Sequence, residues 1–521
     1  MIPVIDIFAG PGGLGEGFSA LSIDGENPFD VRLSIEKEEI ACQTLLLRKF
    51  VRAFEKGPPE LLAYTKGELS KKQLFSTYPK QAESAHSRTW HAELGKASPH
   101  SVARRVRTAI GARRDWVLLG GPPCQAYSTV GRARMKSTRP DFEQDERHFL
   151  YREYLRIVAD HEPAVFVLEN VKGLLTSKHG GKRIVSRILD DLAEPAEALK
   201  MSNKKSRRYR LYALGQKQGT LPWAEEDSLD GEEYLLRAEE YGIPQSRHRI
   251  FIIGVRSDLL GRPELLERRP HVPTAAVLSD LPQIRSIISR SRDSLADWIE
   301  SIDSSRGLAW MSAPPSTALG RVAKEARGTL KAIRSGQLDT GGRYMPHAGM
   351  PAALGAWYRH NAEGITLHES RAHMVEDLHR YLFCACFAKV FGRSPHLRDF
   401  PADLHPAHAN VSVALEGQMF GDRFRVQLAD KPSTTITSHV SKDGHYYIHY
   451  DPAQCRSLSV REAARLQTFP DSYFFEGSRT EQYHQIGNAV PPLLARDIAS
   501  SIYQLMSASQ RTTERLVAKA E

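Results

Sequence analysis

The stretch DIFAGPGGLGEGF, residues 6–18, extends an apolar run that starts at Pro3 and leads into a helical pattern. A strand that passes through a glycine-rich turn into a helix is the opening unit of a strand–helix–strand fold, and few other architectures accommodate it. Gly10, Gly12 and Gly15 satisfy GxGxxG spacing, which lets main chain approach a ligand closely while the helix N-terminus favours an anionic group. Alone, the pattern leaves open a nicotinamide dinucleotide, another nucleoside ligand, or a structural tight turn. Further apolar runs at 31–35, 116–119, 164–168 and 249–255 alternate with helical stretches. Such alternation predicts an α/β fold with a parallel sheet, its functional groups at the carboxyl ends of the strands.

With 521 residues, 41% of them hydrophobic, the chain exceeds one ordinary domain. No run approaches the roughly 18 apolar residues of a membrane span, and no cationic segment followed by an apolar one opens the chain, so a soluble, cytoplasmic protein is expected. Five cysteines without paired CxxC spacing fit free thiols. The net charge of +9 is concentrated: Arg104, Arg105, Arg107, Arg113 and Arg114 precede the stretch GGPPCQAYS, and Arg132, Arg134, Lys136 and Arg139 follow it. This is the footprint of a polyanion partner, against the plainer reading of a basic soluble surface.

After about residue 256 the pattern loosens into Arg-, Pro- and His-rich sequence until about 440. The expected division is 1–275, 276–440 and 441–521, the last part returning to the first. Helix signals resume with a capping box, Ser459 to Glu462, and a final helix is expected after Pro491-Pro492. The basic stretch 202–210 and the acidic stretch 224–233 read as exposed insertions.

Three polar constellations carry chemistry. Cys124 follows Pro122-Pro123, two residues that fix φ and withdraw amide donors, so the thiol is stiffly aimed. Glu169-Asn170 closes the strand 164–168, and Gln245, Arg247 and Arg249 alternate, which in one extended strand turns all three side chains the same way. Each has a plain structural reading: a buried thiol, a helix cap, a phosphate clamp. Glu36, ending the strand 31–35, suits ribose hydroxyls or is an ordinary strand-end acid, and Phe8 suits an adenine face or the core.

The ordered series DIFAGPGGLGEGF, GGPPCQAYS, LENV, PQSRHRIFIIGV, RSLSVREAARLQTFPDSYFF and QIGNAVPP resembles the motif series of DNA cytosine-5 methyltransferases. The resemblance implies a Rossmann-like, S-adenosylmethionine-dependent methyltransferase sheet with a second, smaller target-recognition domain at 276–440. It implies Cys124 as the nucleophile that adds to cytosine C6, flanked by Gln125, with the Pro123 carbonyl accepting from the exocyclic amine. Glu169 acts on N3, Asn170 positions it, and Arg247 and Arg249 hold the cytosine carbonyl. Phe8, Ala9, Gly10, Gly12, Gly13, Leu14, Glu36, Pro122, Asn488 and Ala489 are implied for S-adenosylmethionine, with Glu93 a candidate for the adenine amino group. Thr434, Thr435 and Thr437 resemble the junction where the recognition module rejoins the catalytic half, a hydroxyl there serving a phosphate.

The implied partner is double-stranded DNA from which cytosine is flipped, bound by a monomer associated with the nucleoid; a cognate restriction or defence nuclease is a further implied partner. A start so near the first strand leaves no room for an N-terminal regulatory domain and suits a compact bacterial or phage-type enzyme. RNA methylation by the same fold and a silent DNA-binding protein are the alternatives. No metal is expected: Cys384 and Cys386 with His347, His360, His368, His373, His379, His396, His405 and His408 lack a tight ligand pattern, and a packed helix from His368 to Phe391 is expected instead. Arg343, Arg359, Arg371, Arg393, Arg398, Arg423 and Arg425 are candidates for phosphates or guanine edges.

Overall fold

A computed structural model describes residues 1–123, 147–179, 182–201, 207–215, 231–290, 293–407, 422–442 and 444–518. Cys124, Gln125, Arg132, Arg134, Lys136, Arg139 and His408 lie outside the described residues.

An eight-stranded sheet organises the first part of the chain. Its strands are β1 (Ile2–Ile7), β2 (Phe29–Glu36), β3 (Thr89–His91), β4 (Val117–Gly120), β5 (Val165–Val171), β6 (Tyr209–Tyr212), β7 (Leu235–Arg237) and β8 (His248–Arg256). The order is β3-β2-β1-β4-β5-β8-β6, with β7 also pairing with β8. The first five strands are parallel, as the alternation predicts. β8 departs from the expectation: it runs antiparallel to β5, β6 and β7. The run Ile250 to Ile253 is buried on both faces, and a strand covered on both sides reads as a continuous apolar segment whatever its direction.

Helices α1 (Gly13–Ala20), α2 (Glu39–Arg52), α3 (Pro99–Ile110) and α4 (Arg147–His161) connect the parallel strands. Alternating side chains feed two cores. Val4, Val117, Val165 and Phe251 meet Leu14 and Phe18 on one face, while Ile5, Leu118, Phe166 and Ile252 meet Val102, Val106, Tyr154 and Val158 on the other. Each fully buried Val, Ile, Leu or Phe contributes about 1.5–3 kcal/mol of transfer free energy.

A further core joins α5 (Ala318–Ser335) and α6 (Val375–Phe391) through Trp298, Trp310, Leu330, Phe383, Phe400, Phe424 and Ile448. Cys384 and Cys386 are buried in it, and among the described residues no three His, Cys, Asp or Glu side chains form a group that could hold a metal ion. The helix expected from His368 starts later. His368 lies on the strand Ile365–Glu369 and His373 on Ala372–His373, and the helix begins at Val375. The β-branched pair Ile365-Thr366 favours the strand, and the His368 ring, between Ser459 Oγ and the Pro282 carbonyl at 2.8 Å each, is held to about 4 by burial.

The chain then returns through α7 (Val460–Leu466), α8 (Arg479–Asn488) and α9 (Pro492–Ala518). The expected capping box is present, Ser459 accepting from the Glu462 amide. Glu462 is also held by a bidentate pair with Arg456, both side chains almost wholly buried, at 2.6 and 2.7 Å. Leu493, Ile498, Ile502 and Leu505 of α9 complete the core against α1 and the sheet. Among the described residues no helix is long and apolar enough to cross a membrane.

Candidate active site

The carboxyl ends of β1 and β2 form a glycine cradle. Phe8, Gly10 and Gly12 have φ of 53°, 56° and 89°, a left-handed region that glycine enters freely and phenylalanine enters only under constraint. The turn is closed by Ala9 N to Ile35 O at 3.2 Å and Gly12 N to Ala9 O at 2.8 Å. Glu36 braces it: its carboxylate accepts from Gly10 N at 2.7 Å and from Lys37 N and Glu38 N at 2.9 and 2.8 Å. A side chain at Gly10 would meet nothing within 4 Å, so the loop faces open space there. α1 starts without a side-chain cap, and its Gly15 amide meets the buried Asp6 carboxylate.

The return segment closes the other side of the cradle. A Cβ on Gly13 would lie 2.2 Å from the Val490 carbonyl, so main chain presses on main chain. Asn488 is exposed at the end of α8 and Ala489 is buried beside it. Leu14 turns its side chain into the core, and Phe8 is half-buried against the opposite core. Glu93, just beyond β3, pairs with Lys96 at 2.8 Å, which holds its carboxyl below the usual range. The cradle thus fits a nucleoside-containing cofactor: open space over Gly10, a helix N-terminus without a side-chain cap, and a carboxylate at the end of β2.

Two residues of the cradle escaped the sequence reading. Asp6 on β1 is 1% exposed, and burial lifts its carboxyl to about 7 against the opposing pull of Lys49; an acid inside the apolar strand was the available signal. Tyr473 donates its hydroxyl to the Pro11 carbonyl; it falls within the motif RSLSVREAARLQTFPDSYFF, but nothing there points to a partner at residue 11.

The second half of the site lies where β4 and β5 end. A Cβ on Gly121 would come within 2.8 Å of Glu169 Oε2, so the turn leading to Pro122-Pro123 lies against that carboxyl. Asn170 donates to the Pro122 carbonyl at 3.4 Å and accepts from Val171 N at 2.8 Å, so it braces the proline turn directly. Glu169 Oε1 meets Arg249 Nε at 3.2 Å, with side chains 15% and 18% exposed. Burial lifts the Glu169 carboxyl above its ordinary range, opposed by Arg249 and Arg247. The antiparallel run of β8 makes this meeting possible: Arg249 pairs with Val171 and Phe251 with Glu169, so the start of β8 lies at the edge where β5 ends.

Gln245, Arg247 and Arg249 do not share one unbroken strand. Gln245–Ser246 is a separate strand paired with Ser433–Thr434, and Arg247 falls between it and β8. Arg247, 2% exposed, donates to Ile436 O at 2.9 Å and Gly487 O at 3.2 Å. Gln245 is wholly buried, bonded to Leu466 O at 3.1 Å, to Ile436 N at 2.8 Å and to Gln467. The three threonine hydroxyls are also engaged internally: Thr434 with Gln427, Thr435 with the Ser246 carbonyl, Thr437 with Tyr447. Arg113 and Arg114 line a groove with Met1, Pro28 and Arg256 at the amino-terminal edge of the sheet, opposite Glu169. Proximity in sequence to the PPC stretch therefore does not place them beside it, because β4 separates the two by its own length.

The family model for C-5 cytosine-specific DNA methylase matches residues 85–196 and 230–504. The type II methyltransferase M.Bpa9945I of Bacillus paralicheniformis is 30% identical, over 97% of this chain and 99% of its own. M.AgeI of Thalassovita gelatinovora, another type II methyltransferase, is 28% identical over 96% and 98%. The DNA (cytosine-5-)-methyltransferase M.ApeKI of Aeropyrum pernix is 26% identical over 80% and 87%. With the glycine cradle and the Glu169–Arg249 pair set at one edge of the sheet, and a family model that covers most of the chain, this protein belongs to the C-5 cytosine-specific DNA methylases.

Proposed function

We propose that this protein methylates carbon 5 of a flipped cytosine within a specific double-stranded DNA sequence, through a transient bond between Cys124 and C6. The coarser statement follows from family membership: it is a DNA (cytosine-5-)-methyltransferase. The observation that carries the finer reading is Glu169, a carboxyl lifted by burial although it touches Arg249.

Cytosine C5 is a poor nucleophile until a thiolate adds at C6. As the C–S bond forms, the ring electrons move toward N3, and a protonated Glu169 supplies N3 with its proton. Arg249 lies next to Glu169, where its cation offsets negative charge on the carboxylate and on the cytosine carbonyl. Asn170 fixes the Pro122 carbonyl, and with it the turn that precedes Cys124 in the chain. After methylation a solvent water takes the C5 proton, the C5–H electron pair re-forms the C5–C6 double bond, the C–S pair leaves with Cys124 as thiolate, and the N3 proton returns to Glu169. A free thiol is only a few per cent ionised at neutral pH, so attack requires an environment that stabilises the thiolate. Because the sulfur approaches a ring face, the base must leave the stack.

S-adenosylmethionine, held by the Gly10–Gly13 cradle, Glu36 and the Asn488-Ala489 segment, supplies the methyl group as an electrophilic sulfonium carbon. The core around α5 and α6, distinct from both sheet cores, supports a recognition module within 276–440. Similarity to named type II methyltransferases supports a place as the modification partner of a restriction nuclease.

The test is methylation sequencing of host DNA after expression of wild type and Cys124→Ser. We expect 5-methylcytosine in one short motif for wild type and none for the variant. Equal methylation from both, or a mark on adenine or on cytosine N4, overturns the mechanism.

A further inference from the structure

Three separate segments of main chain meet behind the candidate active site. Residues 435–438 lie against Gly487, where a Cβ would come within 2.2 Å of Thr437 C and 2.1 Å of Ser438 N. Residues 487–490 lie in turn against the glycine cradle, through the contact of Val490 O with Gly13. A displacement of 435–438 therefore has no slack to absorb it before it reaches the cradle.

Buried side chains lock this stack. Arg247 holds Ile436 O with one terminal nitrogen and Gly487 O with the other, one guanidinium spanning both segments. Gln467 donates to Ala489 O and accepts from Gln245, which itself holds the Ile436 amide at 2.8 Å. Two routes, one through Arg247 and one through the glutamine pair, thus join 435–438 to 487–490. Burying a guanidinium on carbonyls alone is costly in free energy, and apolar packing closes a core without that cost. The planar fork does what apolar groups cannot: it fixes the register of two backbones at once.

We propose that Arg247 and Gln467 are positioning residues that transmit DNA engagement at 435–438 to the cofactor cradle, so that DNA and cofactor each raise the affinity for the other. The inference rests on the proposed function, in which 435–438 falls within the recognition module at 276–440 and residues 10–13 hold the cofactor. The reciprocal form is required: if DNA raises cofactor affinity by a given factor, cofactor raises DNA affinity by the same factor.

The experiment measures S-adenosylhomocysteine affinity by calorimetry on the full chain, with and without a duplex carrying the motif found by methylation sequencing. Wild type is expected to bind about fivefold or more tighter with DNA. In Gln467→Met and in Arg247→Lys, which keeps charge but cannot span two carbonyls, that ratio falls toward one. A merely structural defect weakens both affinities and leaves the ratio intact. Hydrogen exchange on wild type gives a readout that needs no variant: amides of 12–14 gain protection when DNA binds. A wild-type ratio of one, a ratio retained in either folded variant, or unchanged exchange at 12–14 overturns the proposal. Wild type that makes no 5-methylcytosine overturns the functional reading instead.

Discussion

Glu169 and Arg249 meet at 3.2 Å across the junction of β5 and β8, yet the carboxyl stays above its ordinary pKa because burial outweighs the guanidinium. A buried carboxyl beside a cation can store a proton, in the proposed mechanism for the ring nitrogen of cytosine. Glu169→Gln, which keeps the shape and removes the transferable proton, is expected to lower single-turnover methyl transfer by about 10²–10⁴-fold. Cofactor affinity without DNA is expected to stay near wild type; equal loss in both would move Glu169 out of the chemistry.

The same pair sets a pH dependence. In the proposed mechanism the protonated Glu169 is the donor, so methyl transfer at saturating DNA and cofactor is expected to fall as pH rises through its raised pKa. Arg249 lowers that pKa, so Arg249→Met moves the falling limb to higher pH while also reducing the maximal rate. A limb that stays in place or moves to lower pH contradicts the assignment.

Gly13 has no room for a side chain, a Cβ there lying 2.2 Å from the Val490 carbonyl. Gly13→Ala is expected to cost about 1–3 kcal/mol of stability by forcing two backbones apart. Urea unfolding measures that loss, and cofactor binding is expected to weaken with it, because the same displacement opens the cradle.

Arg456 is the bidentate partner of Glu462 in a site closed to solvent. Arg456→Met strands the carboxylate and is expected to destabilise the chain by about 3–5 kcal/mol. Arg456 holds the Glu462 carboxyl well below its usual range, so this stability is present above the unfolded value of about 4.3 and fades as pH falls through the depressed folded value. The variant is expected to show a flatter stability profile on the acid side in denaturant unfolding at graded pH.

Local signals carried the parallel strands, the glycine turn and the Ser459 capping box from sequence to structure, because each depends on neighbours only a few residues away. The direction of β8 was invisible for the reason that makes it important: Ile250 to Ile253 is covered on both faces, and only pairing with β5 sets which end Arg249 occupies. Alternation at Gln245, Arg247 and Arg249 suggested one row of side chains. Gln245 instead pairs with the distant Ser433, a contact that no spacing rule contains. Tyr473 and Gln467 were missed likewise, since each reaches main chain far away in sequence, Tyr473 at Pro11 and Gln467 at Ala489. The threonines after 433 read as free hydroxyls only because their partners, Gln427, Ser246 and Tyr447, come from three other segments.

The packing of α9 against α1, so close that a Cβ on Gly17 would stand 2.4 Å from that of Ala495, makes the first sheet face dependent on residues translated much later. A ribosome releasing this chain exposes Val4, Leu14 and Phe18 long before Leu493, Ile498 and Ile502 exist to cover them. During synthesis that half-built surface is the point at which the nascent protein is most open to aggregation and most in need of a chaperone.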